Sequence, residues 1–184
     1  MLTLTGKAKV AGGCGWPVAH SLSPRLHDYW LRHHGVDGAY VPFAVRPEDL
    51  AQALAALPAL GIAGVNLTVP HKEAALACVD RLSEAAASIG AVNTIVVDPR
   101  GHLVGDNTDA FGFYHNLTAS VLWWRAERHP SVVIGAGGAA RAVAHALVTA
   151  GAPAVRLVNR TRARAERLAA ARGPRVEAVA WEDG

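Results

Sequence analysis

At 184 residues the chain exceeds one modal domain and is short for two complete ones. It is 51% hydrophobic and 18% charged, which excludes a disordered or fibrous chain and leaves enough apolar mass for a core. Two cysteines, Cys14 and Cys78, without metal spacing fit a reducing cytosol, and no apolar run of about 18 residues is available to span a membrane.

Met1 to Lys7 lacks the apolar core of a signal peptide, which predicts a cytoplasmic protein. Ala8 to Gly12 reads as a short buried strand, followed by Gly12-Gly13-Cys14-Gly15 as a glycine-rich turn. Ser23 suits an N-cap and Pro24 the first position of a helix through Leu26, Tyr29 and Trp30, ending near Gly35. Ala39 to Val45 is the next strand. Pro47-Glu48-Asp49 opens a second helix, with its acids in the first turn, that reaches Leu57 or Leu60. Gly61 to Gly64 then turns the chain.

In the following stretch Val65, Leu67 and Val69 alternate with Asn66, Thr68 and Pro70, the period of a strand with one apolar and one polar face. Pro70 cannot donate to a central ladder, so the strand is expected to stop there. The β–α–β–α–β alternation predicts parallel pairing through helical crossovers. Asn66 and Thr68 project from the strand's C-terminal end, and Lys72 follows on an exposed turn. Two neutral hydrogen-bonding groups and an amine suit a polyhydroxylated small molecule; an ordinary strand with a solvated lysine is the other reading.

Short helices over Glu73–Val79 and Ser83–Ile89 precede a strand from Val92 to Val97. Asp98-Pro99-Arg100-Gly101 is a turn, and His102 to Gly105 returns as the second arm of a hairpin. That arm delivers Asp106-Asn107-Thr108-Asp109 and a helix through Phe111, Tyr114 and Leu117. Ala119 to Pro130, with Trp123 and Trp124, reads as the connection between units. No internal repeat is visible.

Ser131 to Ile134 is a strand, and Gly135-Ala136-Gly137-Gly138-Ala139-Ala140 runs straight into a helix ending near Ala150-Gly151. Gly135 permits a tight turn, Gly137 lets a pyrophosphate approach the backbone, and Ala140 keeps helix and strand close. The helix N-terminus adds unpaired N–H groups and positive potential. A second strand, Ala154 to Val158, stands at the distance expected for dinucleotide binding; a glycine turn serving packing alone is the competing reading. A helix over 162–171 and a third strand from Arg175 to Ala180 complete a βαβαβ unit.

After Val158 the chain reads Asn159-Arg160-Thr161-Arg162-Ala163-Arg164, with no carboxylate for the ribose hydroxyls of NAD. A 2′-phosphate would meet Arg160, Thr161 and Arg164, which points to NADP. The net charge of +3 and pI of about 9.2 are concentrated here: Arg160, Arg162, Arg164, Arg167, Arg172 and Arg175 face only Glu166. Without interleaved aromatics this reads as a phosphate site and a solvated helix face rather than a nucleic-acid surface, with Arg162, Arg167, Arg172 and Arg175 on the surface.

Taken together, the chain resembles the shikimate/quinate dehydrogenase family. The resemblance rests on Trp16-Pro-Val-Ala-His-Ser-Leu-Ser-Pro24 with His27, Asn66-Leu-Thr-Val-Pro-His-Lys72, Gly90-Ala-Val-Asn-Thr94, Gly105-Asp-Asn-Thr-Asp-Ala-Phe-Gly112, Gly135-Ala-Gly-Gly-Ala139 and Asn159-Arg-Thr161. It implies an N-terminal α/β substrate-binding domain, residues 1–109, and a partial Rossmann-type NADP-binding domain, residues 110–184. It further implies NADPH-dependent, reversible reduction of 3-dehydroshikimate to shikimate in aromatic amino-acid synthesis. In that family Ser21 and Ser23 would bind the substrate carboxylate, and Asn66, Thr68 and Asn93 the ring hydroxyls. Lys72 and Asp109 would stand at the reacting carbon, the lysine stabilising oxyanion charge or giving a proton and the aspartate orienting it or relaying a proton. Gly135, Ala136, Gly137, Gly138, Ala139, Ala140, Asn159, Arg160, Thr161 and Arg164 would hold the cofactor. His20, His27 and His71 are expected to be packing or turn residues, no metal site is expected, and the assembly is a monomer or homodimer without nucleic-acid or membrane partners.

Asp28 stands where the family often has Asn, and Ala110 where Gly is common. Family members also continue through further strands and return helices to the substrate domain. The chain therefore reads as C-terminally truncated, with strand 132–134 as an exposed edge and weak shikimate turnover expected. Three classes stay open: an NADP-dependent shikimate dehydrogenase, a shikimate-binding module without turnover, and an oxidoreductase for quinate or another cyclic polyol with NAD.

Overall fold

Strand-length apolar runs alternating with alanine- and leucine-rich helices build two separate sheets. The structure is a computed structural model that describes residues 4–183. It divides into one unit made of the residues up to Ala87 with Ala91–Asp106, and another made of Ser88–Gly90 with the residues from Asn107 onward.

The first unit runs β1 (Lys9–Gly15), α1 (Ser23–His33), β2 (Gly38–Ala44), a 3-10 turn at Pro47–Asp49, α2 (Leu50–Ala55) and β3 (Ile62–Leu67). A 3-10 turn at Ala74–Ala77, β4 (Arg81–Leu82), α3 (Glu84–Ile89), β5 (Thr94–Val97) and β6 (Leu103–Asp106) follow, the last two residues of α3 belonging to the second unit. The sheet order is β2-β1-β3-β5-β6-β4. β1 pairs parallel with β2 and β3, as the alternation predicts, and the β5–β6 hairpin joins β3 antiparallel. Leu50, Leu54 and Leu57 pack with Val65, Leu67 and Ile95 in its core; each fully buried side chain of this size stabilises the unit by roughly 1.5–3 kcal/mol.

Several expectations change in this unit; α2, for one, ends at Ala55 rather than at Leu57 or Leu60. Gly12 to Gly15 is not a turn but the C-terminal part of β1, the strand between β2 and β3. A Cβ on Gly12 would lie 2.2 Å from the Val41 carbonyl oxygen and 2.4 Å from the Phe43 ring, so the glycine admits its neighbours rather than bending the chain. Gly64 is likewise inside β3, where a Cβ would meet the Ile95 carbonyl oxygen at 2.3 Å. β3 ends at Leu67, not Pro70, although Thr68 N donates to Cys14 O (2.9 Å) and Trp16 N to Val69 O (3.1 Å) before the chain turns at His71. The helix read over Glu73–Val79 contracts to the 3-10 turn.

The second unit holds α4 (Asp109–Ser120), a 3-10 turn at Ala126–Arg128, β7 (Ser131–Ile134), α5 (Gly138–Thr149), β8 (Val155–Val158), α6 (Arg162–Arg172), β9 (Val176–Ala178) and a 3-10 turn at Trp181–Asp183. β7, β8 and β9 are parallel in that order, a Rossmann-type βαβαβ arrangement. Ala140 and Ala144 of α5 bring the helix close to Val133, Val155 and Leu157 in one core. β7 is an edge strand with Val132 and Ile134 exposed, as expected. The segment 119–130 lies inside this unit instead of joining the two, because Trp124 and Ala126 pack into its core and Trp124 meets Tyr114 edge-on.

Candidate active site

The serines lie where the chain enters α1. Ser21 N donates to Val18 O (3.0 Å), and the Ser21 hydroxyl accepts from Ser23 N (3.2 Å). Ser21, not Ser23, is therefore the hydroxyl that satisfies a helix-entry N–H: Ser23 is already helical, Leu22 is the capping position, and Pro24 follows at the start of the helix. Both serines are half-buried.

A continuous chain of side-chain hydrogen bonds crosses β2, β3 and β5. Tyr40 Oη donates to Asn66 Oδ1 (3.0 Å), Asn66 Nδ2 donates to Thr94 Oγ1 (3.0 Å), and Thr94 Oγ1 donates to Asn93 Oδ1 (2.9 Å). The backbone ties the same residues together, since Leu67 N donates to Asn93 O (2.7 Å). Asn66 and Asn93 thus come into one network. Thr68 stands outside it, exposed just beyond β3. Sequence reasoning missed Tyr40 and Thr94. The signal was available: Tyr40 is the one polar-tipped residue in the middle of its strand, and Thr94 follows Asn93 directly.

Lys72 is half-buried, and its carbonyl accepts from Val92 N (2.8 Å), which links the turn after β3 to the approach to β5. His71 beside it is buried, with its Nε2 against the Val45 carbonyl oxygen (2.9 Å), the packing role expected. His27 also packs, stacking on Tyr40 with centroids 3.9 Å apart, whereas His20 is exposed. Cys14 is buried, and burial pushes its thiol up to about 11, so it is a poor nucleophile at neutral pH.

In the second unit Asp109 is the first residue of α4, and its N–H donates to Asn107 Oδ1 (3.0 Å). The loop after β7 is a turn at Gly135 (φ 125°) followed by Gly137 as the capping position of α5, with no side chain capping that helix. A Cβ on Gly137 would meet nothing within 4 Å, so the approach to the first helical N–H groups is open. Ala136 and Ala140 are buried beneath the loop, while Gly138 is half-buried and Ala139 exposed. At the end of β8 Asn159 Nδ2 donates to Thr161 O (2.7 Å), and Arg160, Thr161 and Arg164 are exposed. An open helix N-terminus, and a strand end with arginines and no carboxylate, fit a dinucleotide carrying a 2′-phosphate.

Arg172 is a correction. It is half-buried rather than on the surface, donating to the Ile89 carbonyl oxygen and contacting His145 Nδ1 (3.1 Å). Burial, and then the charge of Arg141, lower its affinity for a proton. Arg162 pairs with Glu166 one turn on, as a solvated residue does. Among the described residues no cluster of three His, Cys, Asp or Glu suits a metal ion, and no helix is long and apolar enough to cross a membrane.

Residues 14–95 match the family described as the shikimate dehydrogenase substrate binding domain, and residues 120–183 match shikimate / quinate 5-dehydrogenase. The chain belongs to the shikimate dehydrogenase family. It is 64% identical over 168 residues to the NADP(+) shikimate dehydrogenase of Rhodospirillum rubrum, covering 91% of this chain and 59% of that protein. The shikimate dehydrogenase of Aquifex aeolicus superposes with a TM-score of 0.88 at 37% identity, over 96% of this chain and 64% of that one. A Thermus thermophilus shikimate 5-dehydrogenase in complex with NADP(H) and shikimate gives 0.81 at 44% identity, over 92% and 62%. The chain thus spans about three fifths of the length of these family members.

Proposed function

We propose that the protein is an NADP-dependent shikimate dehydrogenase, interconverting 3-dehydroshikimate and shikimate. The observation that carries this reading is the hydrogen-bonded network holding Asn66 and Asn93 together at the end of a parallel strand, in a chain whose next sheet opens with an uncapped helix N-terminus. Polar amides fixed in this way recognise ring hydroxyls with little loss of side-chain entropy. Ser21 and Ser23 take the carboxylate beside the entrance of α1, where the helix dipole favours an anion. Thr68 adds a hydroxyl.

Reduction of a ketone leaves negative charge on its oxygen. The Lys72 ammonium stabilises that charge or donates the proton, and Asp109 orients the substrate hydroxyl or relays the proton. NADPH, when bound, supplies the hydride. The N–H groups of Gly137, Gly138 and Ala139 hold its pyrophosphate, with Gly135, Ala136 and Ala140 shaping the loop beneath. Arg160, Thr161 and Arg164 hold the 2′-phosphate, with Asn159 fixing the Thr161 backbone.

The test is NADPH production from shikimate, run beside quinate as substrate and NAD as acceptor. Faster turnover of shikimate with NADP is expected. Preference for quinate or NAD would overturn the assignment of substrate or cofactor, and absence of turnover with retained shikimate binding would leave a binding module.

A further inference from the structure

Tyr40 is buried, at 5% exposure, in the middle of β2, yet its hydroxyl bonds to a side chain on β3, two strands away. The intervening strand permits this because residue 13 is glycine: a Cβ there would sit 3.2 Å from Tyr40 Oη. The phenol ring is clamped from its other side by His27, whose ring stacks on it at 3.9 Å and 12° and whose Nδ1 donates to the Ser23 carbonyl oxygen (2.9 Å). Tyr40, Asn66 and Thr94 line one cleft of about 240 Å³, so the hydrogen-bond chain borders open space rather than core.

An asparagine amide has an acceptor end and a donor end; the phenol hydroxyl, which can donate or accept, here donates to Asn66 Oδ1, so the oxygen end faces Tyr40 while Nδ2 faces Thr94. We propose that Tyr40 is a positioning residue for the substrate site: its hydroxyl fixes the orientation of the Asn66 amide and, through Thr94, that of Asn93. The direction of donation is the same along the whole chain, from Tyr40 to Asn66 to Thr94 to Asn93, so each bond polarises the next. Burial pushes the Tyr40 phenol above its ordinary range, which keeps the donating proton in place at neutral pH. His27 extends the framework to the serine turn. The backbone at Ser23 and the side chain of Asn66, assigned to opposite ends of the substrate, are thereby referred to one rigid pair of rings. This role rests on the proposed shikimate site, whereas the geometry of the network does not.

The variant is Tyr40→Phe, which keeps the ring and the stack and removes only the hydroxyl. Two measurements on the full chain separate the possibilities. In ligand-free protein, the NMR contact between the Asn66 Nδ2 protons and the Thr94 side chain is expected to weaken or vanish. For shikimate, KM is expected to rise about fivefold to tenfold with kcat within about twofold, as losing one hydrogen bond to a binding group requires. In an Asn66→Ala background the same change is expected to add nothing. An unchanged Asn66–Thr94 contact overturns the proposal, whatever the activity. Equal losses in both backgrounds also overturn it, since the tyrosine would then act on the fold at large. If the parent chain binds no shikimate, the proposed function fails and the NMR contact alone decides the role of Tyr40.

Discussion

Two glycines two residues apart in the loop after β7 are expected to respond to the same substitution in opposite ways. Gly137 has φ −95° and ψ −171°, an ordinary extended conformation, and a Cβ on it would touch nothing within 4 Å. Gly137→Ala reduces the entropy of the unfolded chain, worth about 0.4–1 kcal/mol, while alanine is the poorer capping residue by a similar amount. The two effects offset, so stability should stay within about 1 kcal/mol. The methyl group does, however, occupy the open approach to the helix N–H groups. Losing one charge-assisted hydrogen bond to phosphate costs about 1.5–3 kcal/mol, roughly tenfold to a hundredfold in affinity. Gly135 is the converse, because its φ of 125° is a conformation that side chains rarely adopt. Gly135→Ala should therefore destabilise the second unit by about 1–3 kcal/mol. NADPH fluorescence titration and urea unfolding, followed through the partly buried Trp124, measure the two quantities on each variant. Parental NADPH affinity in Gly137→Ala would show that this loop is not the pyrophosphate cradle.

Lys72→Ala should lower kcat by about 10²–10⁴-fold with shikimate affinity within a few-fold; an unchanged kcat would remove the amine from the reaction. Replacing Arg160 and Arg164 together by alanine should erase a preference for NADPH over NADH, whereas equal losses for both cofactors would place the arginines elsewhere than on the 2′-phosphate. The backbone N–H of His102, helped by that of Arg100 and by the His102 ring, holds the Asp98 carboxyl down at about 2. Its folded pKa lies below the ordinary 3.8, so Asp98 stabilises the β5–β6 turn above about pH 4 and the contribution is lost as pH falls through about 2; a carboxyl-carbon titration with its midpoint at the ordinary value would refute this. Burial, and then the charge of Arg172, lower the His145 pKa, so stability should decline as pH falls through and below the usual imidazole range. An NMR titration of Arg172→Leu should show the His145 midpoint moving up.

The second unit was almost fully legible because a strand, a glycine loop and an alanine-rich helix each announce themselves over consecutive residues. β7, α5 and β8 lie within a residue or two of their expected bounds. In the first unit the parallel pairing was legible from alternation, and the β5–β6 hairpin from Asp98-Pro99-Arg100-Gly101. The glycines misled. Gly12 and Gly64 read as turn residues by composition, but what demands glycine there is the closeness of Val41 and Ile95, which belong to other strands and leave no local trace. Arg172 misled for the same reason: nothing in Ala170-Ala171-Arg172-Gly173 shows that Ile89 and His145 wait beside it. Asn66 was picked out by its own strand, whereas the tyrosine that holds it was not, because their pairing exists only once β1 lies between them.

That arrangement also constrains which residue can serve at position 40. Neighbouring strands are about 4.7–4.9 Å apart, so a group on β2 must cross roughly 9–10 Å of sheet to reach one on β3. Serine, threonine or asparagine at position 40 would stop above β1, and phenylalanine would arrive without a donor. A long, rigid side chain with a hydroxyl at its tip meets both needs, and glycine at position 13 clears its path across the strand between. Gly13, Tyr40 and Asn66 therefore form one structural requirement spread over three strands. Gly13→Ala presses on the hydroxyl at 3.2 Å and Tyr40→Phe removes it, so both changes are expected to reach Asn66 by the same route.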